Sequence, residues 1–416
     1  MKIIRTTHLF TLIAAMSLVP TLYAQTPRGN ARDGSFFTSE ALPNSVLRMR
    51  EFMPTTNVPR GNTTPLSSFR YRLDEENIDR ITFLPTGGTV RMSWRESLEN
   101  NFADGVIILH RGKIVYERYF GQMNSESLHA LMSVTKSFTG TLAATLVAEG
   151  KIDPSMRVSY YLPELATSGF GSATVRQVMD MTTAIDYSED YTDPNAEVWA
   201  FSQAGNALVE HPQGTPQGYH DFLATVQPSN LAHGQAFAYR TVNTDVLGWI
   251  VERVGGAPMA EQLRQRVWSK MGMEQDAYYQ VDATGTAFAG GGLNAALRDL
   301  ARFGEMMRCE GRWRGRQIIP REVVSDIRFG GDKAPFEASE YAAKLPGWSY
   351  RNMWWVTNND NGAFMARGVH GQAIYIDPTA EMVIVRVAHN PNASNTLNDP
   401  ISLPAYQAVA DYLMGK

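Results

Sequence analysis

MSVTKSFTG, residues 132–140, is the stretch on which the reading of this 416-residue chain turns. It follows two β-rich runs and opens a helix. Val134, Phe138, Leu142 and Leu146 recur at four-residue spacing, and Gly150 is a natural stop. Ser133 and Lys136 stand three apart at the head of that helix, so hydroxyl and amine share a face. Free N–H groups at a helix N-terminus favour developing negative charge. An amine titrating near ~10.4 in water is a poor base at neutral pH. Burial disfavours its charged form, which lets it accept a serine proton. The isolated string has a plain alternative, a capping serine followed by a surface lysine. Small residues early in the helix (Gly140, Ala143, Ala144) and strands before it favour nucleophile and base.

Working outward, Val106–Phe120 is two strand-like runs around Arg111-Gly112-Lys113, a hairpin pattern. Gln25–Asn100 is rich in Pro, Gly, Thr and Asn and reads as an extended arm over the body, without its own core. Residues 1–24 carry Lys2 and Arg5, an apolar stretch from Leu9 to Val19 and a small residue, Ala24, before Gln25. This is the pattern of an export signal and implies a periplasmic or secreted protein. No later run approaches the roughly 18 apolar residues of a spanning helix, so no membrane association is expected after signal removal.

Downstream, residues 155–290 mix short helical patterns with Pro/Gly loops. Asn243–Val254 reads as a helix stopped by Gly255-Gly256. Leu293–Met307 reads as another, entered through Gly290-Gly291-Gly292 and capped by Asn294. Tyr350–Thr357, Phe364–Arg367, Gln372–Ile376 and Met382–Ala388 are strand-like, and Pro404–Met414 closes as a helix. Strands near both ends and helices between them predict an α/β body over residues 101–416. Its sheet comes from the N- and C-terminal thirds, with a mainly helical lobe inserted at roughly 155–290.

Composition narrows the function. Hydrophobic residues are 44%, charged residues 19% and the formal net charge is −4. That is globular composition without the basic surface of a nucleic-acid binder. The single cysteine, Cys309, excludes a disulfide framework and a cysteine–zinc site, and reads as a packing residue. No pair among the eight histidines has helical zinc spacing, and no G-x-S-x-G occurs. No metal or organic cofactor is expected.

With Ser133–Lys136 in place, four stretches in order resemble the serine β-lactamase-like superfamily. They are MSVTKSFTG (132–140), YRTVNTDVLGWIVERVGG (239–256), GGGLNAALRDLARFGEMM (290–307) and GVHGQAIYIDP (368–378). That superfamily includes class C β-lactamases, D-alanyl-D-alanine peptidases, family VIII esterases and 6-aminohexanoate-dimer hydrolases. The resemblance implies a β-lactamase/transpeptidase-like fold with an antiparallel sheet flanked by helices. It makes Ser133 the nucleophile, Lys136 its amine partner and Tyr239 the second-motif tyrosine. A close ammonium would favour the Tyr239 phenolate, which could then shuttle protons. His370-Gly371-Gln372 matches the third motif. There Gln372 N–H joins Ser133 N–H as the oxyanion pair, and His370 and Gly371 border the substrate.

Departures point within the superfamily. Thr241 replaces the asparagine of Tyr-x-Asn, with Asn243 further on. Val369-His370-Gly371 replaces Lys-Thr-Gly and removes a cation that anchors anionic β-lactams. YRTVNTDVLGW and DYSEDYTDP (186–194) resemble the nylon-oligomer hydrolases, in which a loop tyrosine approaches the scissile amide. Tyr191 is the candidate here, with Tyr187 second. The expectation is an acyl-transferring serine hydrolase of small esters or linear amides. A homodimer is left open. The rivals are a β-lactamase or cell-wall peptidase, and a penicillin-recognising protein that acylates without turnover.

Overall fold

The computed structural model describes Asn30, Arg32 and residues 34–416. The expected export signal lies outside the described residues. Along the chain, β1 (Thr55–Val58) and β2 (Arg70–Tyr71) precede the hairpin β3 (Ala103–His110) and β4 (Lys113–Tyr119). Next, β5 (Leu128–Ala130) runs into helix α1 (Val134–Ala148), and α2 (Val242–Gly255) lies mid-chain. Strands β6 (Ala277–Gln280) and β7 (Leu293–Ala296) lead into α3 (Leu297–Arg308). The last third holds β8 (Ser349–Arg351), β9 (Trp354–Val356), β10 (Phe364–Gly368), β11 (Gln372–Asp377) and β12 (Met382–Ala388), closed by α4 (Asp399–Met414).

Eight strands form one sheet in the order β8-β9-β10-β11-β12-β3-β4-β2. All its pairings are antiparallel except β2 with β4. The alternation of strands near both ends therefore closes through β12–β3, the pair that joins the two thirds. A second sheet, β1-β6-β7-β5, carries β5 up to Ser133. The loops and short helices between residues 155 and 276, with α2, make the inserted lobe.

Helix α1 is not the one-sided amphipathic helix of the four-residue repeat. Every residue from Val134 to Leu146 is buried, because α1 runs between the sheet and the lobe. Phe138 stacks on Phe303 of α3 at 3.9 Å. Gly140 is required, since a Cβ there would meet Asn352 O at 2.1 Å. The turn at Asn352 and Met353, with φ of 50° and 64°, splits Tyr350–Thr357 into two strands. Asn294 does not cap a helix. It lies within β7, and its side-chain amide donates to Gly292 O at 3.0 Å. The glycine run thus enters a strand that then leads to α3.

The stretch before residue 100 is tied down by strands and by charge. β1 edges the small sheet and β2 the large one. Trp94 and Leu98 enter the main core. Ser67 O accepts Arg302 Nε and Nη2 at 3.0 and 2.8 Å. Arg302 is itself fully buried and ion-paired to Asp299 and Glu274, as a buried guanidinium requires. Cys309 follows α3, half-buried beside Glu305.

Candidate active site

Ser133 sits where β5 meets α1. Met132, just before it, adopts a left-handed φ of 49° that turns the chain into the helix. Ser133 occupies the N-cap position, yet its side chain makes no capping bond. Its Oγ instead accepts from Lys136 Nζ at 2.8 Å. The plain reading of a capping serine and a surface lysine is thereby replaced. Lys136 is 1% exposed, and its Nζ also donates to Gly290 O at 2.7 Å. Burial lowers its pKa to about 8, against the opposing pull of Glu189 and Asp245. A larger share of the amine is therefore neutral at pH 7 than in a solvated lysine.

Tyr239 precedes α2 and joins the pair. Lys136 Nζ lies 5.2 Å from its ring centroid, and the ring stacks on Trp355 at 5.3 Å. The phenolate expectation is corrected here. Burial pushes the Tyr239 phenol well above its usual range, and Glu189 and Tyr341 add to this. A hydrogen bond with Ser133 and the charge of Arg367 pull the other way without reversing it. Tyr239 is thus a neutral hydroxyl, able to donate and relay a proton.

The loop after Asp186 reaches the site through Glu189. Thr241 donates to that carboxylate from both its backbone N–H and its hydroxyl, the latter at 2.5 Å. Tyr191 donates to the same carboxylate at 2.8 Å and remains 38% exposed. Tyr191 and Thr241, the latter two residues after Tyr239, thus share one carboxylate. Tyr187, the second loop candidate, is held by packing rather than by polar contacts. Its hydroxyl is buried without a hydrogen-bond partner, and its ring packs edge-on against Phe222. It lines a cavity of about 410 Å³ with Asp186, Glu197 and Arg240, whose wall also includes Ala238, so that both neighbours of Tyr239 border it. Asn243 also turns inward, accepting from Thr183 at 2.7 Å.

The third motif needs a second correction. Gln372 lies on β11, between β10 and β12, and its side chain bonds Ala388 on β12. The backbone against the nucleophile belongs to β10. A Cβ on Gly368 would lie 3.0 Å from Ser133 N and 2.7 Å from Leu131 O. β9 pairs only with Phe364 and Met365, which leaves the end of β10 free to face Ser133. His370 and Gly371 form the turn between β10 and β11. The His370 Nδ1–H donates to Asn390 O at 2.7 Å, and its ring stacks on Phe37. Gly371 packs against Ala388 and accepts from Arg386 Nε. Neither residue hydrogen-bonds Ser133, Lys136 or Tyr239 among the described residues.

Sequence reading missed Glu189, Asp245 and Gly368. Asp245 lies within the quoted YRTVNTD run, and Gly368 opens the quoted third-motif stretch. Neither position has meaning until the strands and loops fold together.

A buried lysine on a serine, at the head of a helix behind an antiparallel sheet, defines a serine hydrolase of the β-lactamase-like superfamily. The sequence pattern of the β-lactamase family matches residues 98–403, and the chain belongs to that family. A 6-aminohexanoate-dimer hydrolase from Paenarthrobacter ureafaciens is 35% identical over 348 residues, 84% of this chain and 85% of that one. The solved structure of a Bacillus anthracis protein, provisionally named a 6-aminohexanoate-dimer hydrolase, superposes with a TM-score of 0.82 at 31% identity. That match covers 94% of this chain and 98% of the other. A family VIII carboxylesterase shares the fold at a TM-score of 0.55 and 17% identity, over 76% of this chain and 96% of that one.

Proposed function

We propose that the protein is an exported hydrolase that cleaves small esters or linear amides of the 6-aminohexanoate-dimer type through an acyl-enzyme on Ser133. The observation that carries this is the 2.8 Å contact between a buried, weakened amine base and the Ser133 hydroxyl. Lys136 takes the Ser133 proton as Oγ attacks the carbonyl. The oxyanion forms against Ser133 N–H and the backbone N–H that follows Gly368, in place of Gln372. Tyr239 passes a proton to the departing alcohol or amine, and water then releases the acid. Tyr191, exposed and held by Glu189, borders the leaving-group side.

The cation beside Gly368 is already paired, which among the proposed substrates favours a small neutral ester. Arg367, beside Gly368, is 6% exposed, and its Nη2 contacts both oxygens of Asp399 at 2.5 and 2.6 Å. Its charge is engaged rather than offered to a substrate carboxylate. Export rests on the residue 1–24 pattern and is checked by N-terminal sequencing of the mature protein, with Gln25 as the expected first residue.

The test of the chemistry is an intact-mass and turnover screen with an aryl ester, 6-aminohexanoate dimer and a chromogenic cephalosporin. Transient acylation of Ser133 and faster release from the ester or dimer are expected. A Ser133→Ala variant with full activity would sink the assignment.

A further inference from the structure

We propose that Asp245 is a positioning residue for Lys136, holding its amine through Gly290 and sharing with it the charge of the buried site. The inference rests on the hydrolase reading above. Asp245 lies in the first turn of α2 and is 3% exposed. Its Oδ1 accepts the Gly290 N–H at 3.2 Å, and the carbonyl of the same glycine accepts Lys136 Nζ at 2.7 Å. One residue thus links carboxylate to amine. That approach needs a glycine at 290: a Cβ there would lie 2.7 Å from Asp245 Oδ2 and 2.5 Å from Thr241 Cγ2.

The second carboxylate oxygen carries the argument further. Asp245 Oδ2 is buried with no hydrogen-bond partner. A buried carboxylate with one oxygen unpartnered is costly to keep as an isolated charge. It must be balanced by a cation or take up a proton. Lys136 is the cation that acts on it. Other ionisable groups near it are the Glu189 carboxylate, which repels it, the Tyr187 and Tyr219 phenols, which stay neutral, and His220 and Glu252, which line a cavity with it.

Burial lowers Lys136 and raises Asp245, each to about 8, so the two titrate as one pair. With one proton between them, ammonium–carboxylate and amine–carboxylic acid carry the same net charge. The second arrangement leaves a free amine on Ser133 Oγ without a bare carboxylate behind it. The first holds the amine protonated and delays its action to higher pH.

Asp245→Asn separates these roles, because the amide oxygen still accepts from Gly290 N–H while the charge is gone. In kcat/KM for an aryl ester against pH, the acid limb should move down by about 1 pH unit. An unchanged limb in a folded, active variant would overturn the inference, since a packing role leaves its position fixed. Ser133 labelling by the ester is followed in parallel. Failure of wild-type labelling strikes the hydrolase reading, whereas labelling with an unmoved limb strikes only Asp245. Should Asp245→Asn not fold, carboxyl ¹³C NMR of aspartate-labelled wild type takes its place. One carboxyl should titrate between about pH 7 and 9 and shift in Lys136→Met. No aspartate titrating there would overturn the inference equally.

Discussion

Gly368→Ala tests the oxyanion geometry with the smallest change available, one methyl group. Gly368 has extended backbone, φ −137° and ψ 151°, which alanine adopts freely, so any effect is steric. The added Cβ would lie 2.7 Å from Leu131 O, where ordinary contact begins at 3.4 Å, and 3.0 Å from Ser133 N. The strand end or the Ser133 turn must therefore yield by about 0.7 Å. Displacements of that order cost roughly 10²-fold when they misplace a reacting group, as does loss of one oxyanion donor. We expect kcat for an aryl ester to fall about 10²-fold, near 2.7 kcal/mol of barrier. KM should change little.

The control is Gly304→Ala. It places a Cβ 2.7 Å from Val383 Cγ1 and 3.1 Å from Ile374 Cγ2, at the interface of α3 with the sheet. Overpacking should cost each variant about 1–3 kcal/mol in denaturant unfolding. Only Gly368→Ala should lose kcat beyond what its stability explains. Equal kcat in the two variants would refute the placement of β10 as the oxyanion strand.

Wild-type kcat/KM should rise with pH to a midpoint near 8, because the active amine is the deprotonated form of a group lowered by burial. A pH profile on a non-ionising ester checks this, and a limb below pH 6 would exclude Lys136 as the base. Tyr239→Phe keeps the stack on Trp355 and should lower kcat by about 10²- to 10⁴-fold with a near-unchanged melting temperature. Tyr187→Phe removes a buried hydroxyl without a partner, so activity should hold within about twofold and stability should be equal or higher. Tyr191→Phe instead loses the Glu189 bond at the exposed edge of the site, and its kcat/KM should fall on the amide more than on the ester.

The local signals that held in the structure were those that need only near neighbours. Arg111-Gly112 closes the β3–β4 hairpin, and Ser133 and Lys136 meet because three residues of helix bring them together. The pair could be singled out from type and spacing, as could Tyr239 from its motif. The third motif misled at Gln372. String matching follows the order of residues, while the edge that faces Ser133 depends on where β9 stops pairing with β10.

The sequence by itself determined the α/β class, the Ser133–Lys136 pair and the family. The class and the pair follow from periodicity and short-range spacing, and the family from the resemblance carried by four stretches in order. Only the tertiary structure decided the electrostatics. Residue type cannot say that Lys136 is sealed from water, that the Tyr239 phenol keeps its proton, or that Asp245 leaves one oxygen unpaired. Those properties depend on desolvation, and desolvation is set by distant segments, Lys136 and Gly290 among them, closing over the same few atoms.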